Sequence, residues 1–374
     1  MKKTQIIIAC VSALILLGLI MVYSNTAVAR GTDLLMNKDL IRQAFWAALA
    51  AGAILVFAHI DYHVLADWSR PIMILTLAAL AAVLVFSPPR NHAHRWFVIG
   101  SVNIQVSEFA KIAILLYVAS FLSRKREILG RFFKGFLPPL LVLGVTFGLI
   151  LIEPDFGSAA LIALVVLAVL IAAGARWRHI FPLAIAALPV LILLLCMKEY
   201  RLQRLITFLH PWDDPRGTGH QLVQSLIALG TGGWTGVGLG RGLLQLGFLP
   251  ESDNDFVFAI IGQETGFVGC LLVLFTFFVL FHAGIRVARS APDTLGALLA
   301  FGITVLIGLQ MLINVAVATG SMPTKGISLP FVSSGGSSLL ALSVGVGILL
   351  NVARHCPRET FVRARGAVPR EATA

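Results

Sequence analysis

Ten apolar runs, most of them close to the ~20 residues that cross a bilayer, leave few folds open to this chain. They fall at residues 5–23, 44–60, 71–87, a run ending at 122, then 136–152, 157–173, 180–197, 256–284, 295–318, and a last run ending near 352. A water-soluble fold could not bury that much apolar surface, because 58% of the 374 residues are hydrophobic and only 13% are charged, with a mean hydropathy of +0.90. In hydrocarbon every backbone polar group must be satisfied within its own segment, and segments of this length do so as helices. The expected fold is an all-α polytopic membrane protein of about ten transmembrane helices, with a large loop between spans 7 and 8.

The net charge of +11 would suggest nucleic acid in a soluble protein. Here Lys and Arg sit in short blocks between apolar runs, where they set topology and meet anionic lipid headgroups, so no nucleic-acid role is expected. The four cysteines, Cys10, Cys196, Cys270 and Cys356, lie in or beside different apolar runs without paired spacing. They read as small apolar fillers.

The basic blocks orient the chain. With the N-terminus cytoplasmic, the turns at 61–70, 124–134, 175–179 and 286–289 and the C-terminal tail are also cytoplasmic, and all but the first are rich in Arg. Both termini are then inside. Ala27-Val28-Ala29 mimics a signal-peptidase site, but the run before it is long for a signal peptide, and a retained first span is expected. A membrane domain over 1–354, with an outer loop at about 198–255, is followed by a basic tail over 355–374 that reads as disordered.

This orientation gathers the polar segments at 88–111, 153–156, 201–264 and 320–338 on the outer face. Glu108 and Lys111 stand at i and i+3 and can pair on one helix face, either as a headgroup-level cap or at a substrate. Asp155 follows a Pro between two spans and reads first as an N-cap. Asp253, Asn254 and Asp255 precede span 8, and from the residues alone capping is the better reading for each. Arg201, Arg204, Arg216 and Arg241 place fixed positive charge outside the membrane, which suits a pyrophosphate-linked lipid headgroup.

The stretches HPWDDPRGTGHQLVQSLIALGTGGWTGVGLG, LPESDNDFVFAIIGQETGFVG and GSMPTKGISLPFVSSGGSS, with RWFVIGSVNIQVSEFAK and EPDFGSAA, resemble the SEDS (shape, elongation, division and sporulation) glycosyltransferases, the family of FtsW, RodA and SpoVE. The likeness covers nearly the whole chain. PWDDPRGTGHQLVQSL and Pro323-Thr324-Lys325-Gly326 are more similar to the FtsW branch than to RodA.

What the resemblance implies is a ten-span peptidoglycan glycosyltransferase of the bacterial inner membrane, with both termini cytoplasmic and enrichment at the division septum. It would join lipid II into glycan strands on the outer face, for cell division and cell wall biogenesis, beside a class B penicillin-binding protein and other divisome or elongasome proteins. By the family's motif the catalytic acid falls on Asp255, with Lys325, Glu108, Lys111 and Arg95 at the substrate cavity. Val106, Glu153, Gln263 and Ser334 stand where the family usually has Pro, Gln, Glu and Tyr.

The chemistry needs a base to take the proton of an attacking sugar hydroxyl and a cation for the departing pyrophosphate. Asp255 would supply the first, and Lys325 or the arginines, Arg204 and Arg216 among them, the second. Glu264, nine residues on, falls about half a turn round a continuous helix and is expected to support from behind, as is Asp155. A Mg or Mn ion on the pyrophosphate fits this chemistry, though no protein metal site is visible in the sequence. The competing readings are a flippase for the same lipid, which would need charges along the whole depth of the membrane, and a RodA-like polymerase serving elongation.

Overall fold

The computed structural model describes residues 2–30, 38–87, 95–99, 102–125, 127, 129–196, 199–242, 255–324 and 326–357. Its helices are α1 (Lys2–Arg30), α2 (Lys38–His59), α3 (Tyr62–Asp67), α4 (Ser69–Phe86), α5 (Val106–Arg124), α6 (Leu137–Ile152), α7 (Phe156–Ala172), α8 (Trp177–Cys196), α9 (Glu199–Leu209), α10 (His220–Gly232), α11 (Val257–Ser290), α12 (Thr294–Ala318) and α13 (Gly336–His355). Among the described residues eight helices are long and apolar enough to cross a membrane, and α7 is a shorter apolar helix. With α8, which carries Pro182 and Pro189 in its interior, they occupy the ten expected positions.

The core is apolar, as in a soluble protein, but so is much of the outside of the bundle. α5, α12 and α13 are buried along most of their length at the centre. α2 lies along α13, α4 along α5, and α11 and α7 along α12. Large apolar side chains also point outward, among them Ile74, Leu75 and Phe86 on α4 and Leu272, Phe275 and Phe278 on α11. In lipid these exposures carry no penalty, and the buried polar residues become the informative ones.

Two features depart from the sequence expectation. The segment before α5 forms an antiparallel hairpin, β1 (Trp96–Ile99) with β2 (Val102–Gln105), pairing Trp96 with Gln105 and Phe97 with Ile104. The stretch after span 7, expected as one long loop, contains α9 and α10. Its breakers concentrate in two places, Pro211–Gly219 and Gly232–Gly242, so the apolar-patterned residues between them are free to wind into helices. The first break is an Asp214 turn, in which the carboxylate accepts from Gly217 N at 2.9 Å and Thr218 N at 2.8 Å. Asp214 is exposed, and the Thr218 amide, ahead of that of Gly217, holds its pKa below the usual carboxylate value.

The basic and acidic turns gather at one end of the bundle. There Arg124 pairs with Asp67 at 2.6 Å, Lys3 donates to Ser290, and Arg354 donates to Ala58 O. The polar segments named above meet at the other end. Of the tail expected to be disordered over 355–374, His355 ends α13 and residues 358–374 lie outside the described residues.

Candidate functional site

Two amide side chains one turn apart on α12 organise this end of the bundle. Asn314 Nδ2 donates to Asp255 O at 2.9 Å and to Ile327 O at 2.8 Å, tying the start of α11 to the Pro/Gly-rich loop that precedes α13. Gln310 Nε2 donates to Ser328 O at 3.0 Å on the same loop, while its Oε1 accepts from Lys111 Nζ at 3.3 Å. Lys111 Nζ also donates to Glu108 at 2.8 Å, and both side chains are buried. A lysine and a carboxylate in such surroundings are tolerable only as a pair with further hydrogen bonds, and Gln310 provides one.

Asp255 is half-buried beside this network. The N-cap of α11 is Phe256, so Asp255 stands one residue outside the cap that the sequence made its default role. Its carboxylate faces Gly326, where an added Cβ would lie 3.1 Å from Asp255 Oδ2. The candidate acid and the loop bearing Lys325 are thus in contact. Lys325 itself lies outside the described residues, as do Asp253 and Asn254.

Asp155 does cap α7, its Oδ1 accepting from Ser158 N at 3.1 Å. The other oxygen accepts from Gln105 Nε2 at 3.2 Å and Ser107 Oγ at 3.5 Å, next in sequence to Glu108. The capping carboxylate therefore also fixes the entry to α5.

Arg95 donates to the backbone oxygens of Glu153 at 2.8 Å and Pro154 at 2.6 Å, clamping the α6–α7 turn. The Glu153 side chain is fully buried beneath, with no hydrogen-bond partner for either oxygen among the described residues. Burial, then the neighbouring Asp155 charge, push its pKa up to about 8, against the opposing pull of Arg95.

Arg204 reaches the Lys325 loop through Thr324 O at 3.4 Å, whereas Arg216 is exposed in the Asp214 turn, away from the buried network. Glu264 is buried and faces α1 rather than Asp255. Sequence reasoning missed Gln310 and Asn314. The available signal was two amides at i and i+4 inside an otherwise apolar span, where an unpaired amide is costly.

The chain matches the family described as cell cycle protein, FtsW/RodA/SpoVE, over residues 4–357. It belongs to that family. The FtsW of Geobacter sp. (strain M18), named a probable peptidoglycan glycosyltransferase, is 40% identical over 340 residues, spanning 90% of this chain and 92% of the relative. Stage V sporulation protein E of Bacillus subtilis (strain 168) is 38% identical over 362 residues, spanning 95% and 98%.

Among solved structures, a chain from a peptidoglycan synthase complex, studied for how polymerization and crosslinking are coordinated, superposes with a TM-score of 0.76 at 28% identity, covering 93% of this chain and 96% of that one. Thermus thermophilus RodA superposes at 0.69 with 27% identity, covering 93% and 95%. An FtsW/RodA/SpoVE fold accounts for the ten apolar helices and for the meeting of four separate polar segments at one end of them.

Proposed function

We propose that this chain is an FtsW-type peptidoglycan glycosyltransferase that polymerises lipid II during cell division. The observation that carries the reading is the position of Asp255, half-buried at the start of α11, fixed through its backbone by Asn314 and facing Gly326 on the loop of Lys325. In this role the Asp255 carboxylate takes the proton from the attacking sugar hydroxyl as the oxygen bonds to the anomeric carbon and the lipid pyrophosphate departs. Lys325 and Arg204 meet the negative charge that develops on the leaving group. The buried Glu108–Lys111–Gln310 network ties α5 and α12 to the loop at Ser328, and contact of Glu108, Lys111, Arg95 and Arg216 with substrate belongs to the same proposal.

The bilayer orientation follows from charge. The basic turns lie at the end opposite the site, so that end is cytoplasmic with both termini, and the site opens to the outer face of the inner membrane. A class B penicillin-binding protein is the expected transpeptidase partner, the septum the expected location, and divisome proteins the wider company. Among the described residues no group of three or more His, Cys, Asp or Glu is placed to hold a metal, so a Mg or Mn ion would take its oxygens chiefly from the substrate pyrophosphate. The flippase alternative is less favoured because the buried ion pair and amides lie near one end of the bundle rather than along its depth.

The test is polymerisation of purified lipid II by the purified protein, with and without a cognate class B penicillin-binding protein. Glycan strands in either arm are expected. Transbilayer movement of lipid II without polymer in both arms would favour the flippase.

A further inference from the structure

α11 breaks at Gly266, where the backbone (φ 68°, ψ −167°) enters a region open to glycine. On one side of the break every side chain from Phe256 to Glu264 is buried. On the other, Phe267 and Val268 begin an outward-facing stripe. The chain leaving α10 fills the gap. Phe267 N donates to Gly233 O at 2.9 Å and Val268 N to Trp234 O at 3.2 Å, while Val237 N donates to Gln263 O and Gly238 N to Glu264 O, each at 3.0 Å. The fit is close enough that a Cβ on Gly236 would run into Glu264 O. Residues 257–265, which follow Asp255 and the Phe256 cap, are thus a short helix of their own, joined to the rest of α11 through a glycine.

Glu264 closes the far end of that segment. Its side chain is 1% exposed, and Oε1 accepts from Ser24 Oγ of α1 at 2.6 Å and from Gly240 N of the glycine-rich loop at 3.2 Å. A leucine would fill similar space without burying a carboxyl group, so packing alone does not account for the residue. Two donors from separate elements converging on one oxygen do. Asn314 holds the segment at Asp255 and Glu264 holds it nine residues later, on the far side from α12.

We infer that Glu264 is a positioning residue for Asp255: by fastening α1 and the 233–240 loop to the segment, it prevents the segment from pivoting about Gly266. The inference rests on the glycosyltransferase reading. At ~1.5 Å per residue Asp255 lies about 16 Å from the pivot at Gly266, so a rotation of about 4° moves the acid by about 1 Å. A misplacement of that size is enough to cost about 10²-fold in rate.

The experiment compares Glu264→Gln, which keeps an oxygen acceptor, with Glu264→Leu, in lipid II polymerisation and in amide hydrogen exchange of the detergent-solubilised protein. Expected for Glu264→Leu is a fall in kcat of about 10- to 100-fold with little change in KM, and faster exchange across 257–265 but not across 270–290. Glu264→Gln should restore most of both. Should Glu264→Leu fail to insert, Ser24→Ala removes one donor and should give the same pattern several-fold weaker. Unchanged exchange in 257–265, an unaltered kcat, or a glutamine variant as impaired as the leucine one would overturn the assignment. If the wild-type protein makes no polymer, the glycosyltransferase reading fails on its own, and exchange alone decides whether Glu264 holds the segment.

Discussion

The side chain of Asn314 donates to the backbone oxygen of Asp255 at 2.9 Å, which fixes the main chain of the candidate base, and its carboxylate lies against Gly326. The same amide reaches Ile327 O at 2.8 Å, and one residue therefore sets the spacing between the acid and the Lys325 loop. Replacing it leaves two carbonyls without their donor. Asn314→Leu is expected to lower stability by about 1–3 kcal/mol and polymerisation by at least about tenfold. Thermal unfolding in detergent and lipid II turnover measure the two effects. Turnover at the wild-type level would mean that Asp255 is positioned without Asn314.

Glu153 makes a prediction about pH. Its carboxyl is buried without a hydrogen-bond partner among the described residues and has a pKa raised from 4.5 to about 8, by burial first and then by Asp155. The unfolded chain ionises this group at the lower value, so its contribution is intact below pH 4.5 and is lost progressively as pH rises to about 8. Glu153→Gln removes the titration. The variant should match the wild type near pH 4.5 and unfold at higher temperature above pH 8, with a gain on the order of several kcal/mol at most. A difference that does not change with pH would show that Glu153 does not titrate in this range.

Much of this was legible in the sequence, and the limits have physical causes. The apolar runs fix the helices because hydrocarbon allows a run of that length little else, and the basic turns group correctly because they share one end of the bundle. Asp155 as a cap and Glu108 with Lys111 as a pair follow from local spacing. Gln310 and Asn314 were hidden because their partners are 18 and 13 residues further along the chain, at Ser328 and Ile327, on the far side of a loop with no periodicity of its own. Gly266 was hidden because a single glycine in an apolar run reads as a tolerated helical residue. The chain that fills its break comes from 30 residues earlier. Asp255 stands outside the N-cap of α11, so half a turn round a continuous helix does not describe its relation to Glu264. What Glu264 faces, Ser24 of α1, is a contact across 240 residues that no spacing reveals.

At the opposite end of the bundle His63 presents Nδ1 to Asp61 Oδ1 at 2.8 Å and Nε2 to Asp293 Oδ2 at 2.7 Å, joining the α2–α3 turn to the N-cap of α12. Tyr62 donates to the same Asp293, the ring of His355 packs on Tyr62, and Arg124 with Asp67 lines the adjoining cavity. A neutral imidazole has one N–H and cannot donate to both carboxylates, whereas the imidazolium can. Burial lowers the His63 pKa, but the hydrogen bonds and charges of Asp61 and Asp293 outweigh it and leave the value above 6.5. The clasp is therefore complete below pH 6.5 and is lost as pH rises through the raised value. Half-exposed as it is, it contributes at most about 1 kcal/mol. The melting-temperature difference between wild type and His63→Ala should be largest near about pH 6 and shrink by about pH 9, and a constant difference would remove the ionic clasp.

Substitution of Asp255 by Asn tests the centre of the proposed mechanism, because it changes one property and keeps the others. Asn has nearly the size of Asp and can hydrogen-bond in the same place, but it cannot take a proton from a sugar hydroxyl. The backbone oxygen that Asn314 holds is unaffected, and the N-cap of α11 belongs to Phe256, so the fold does not need the carboxylate as a cap. The expected protein is inserted, folded, able to bind its transpeptidase partner, and at least about 10²-fold slower in polymerising lipid II, in line with loss of a general base. Co-purification with the partner measures binding, and labelled lipid II turnover measures the chemistry. If Asp255→Asn makes glycan strands at the wild-type rate while Asn314→Leu does not, the acid is a bystander and the catalytic base must be sought among the other residues held by the same loop.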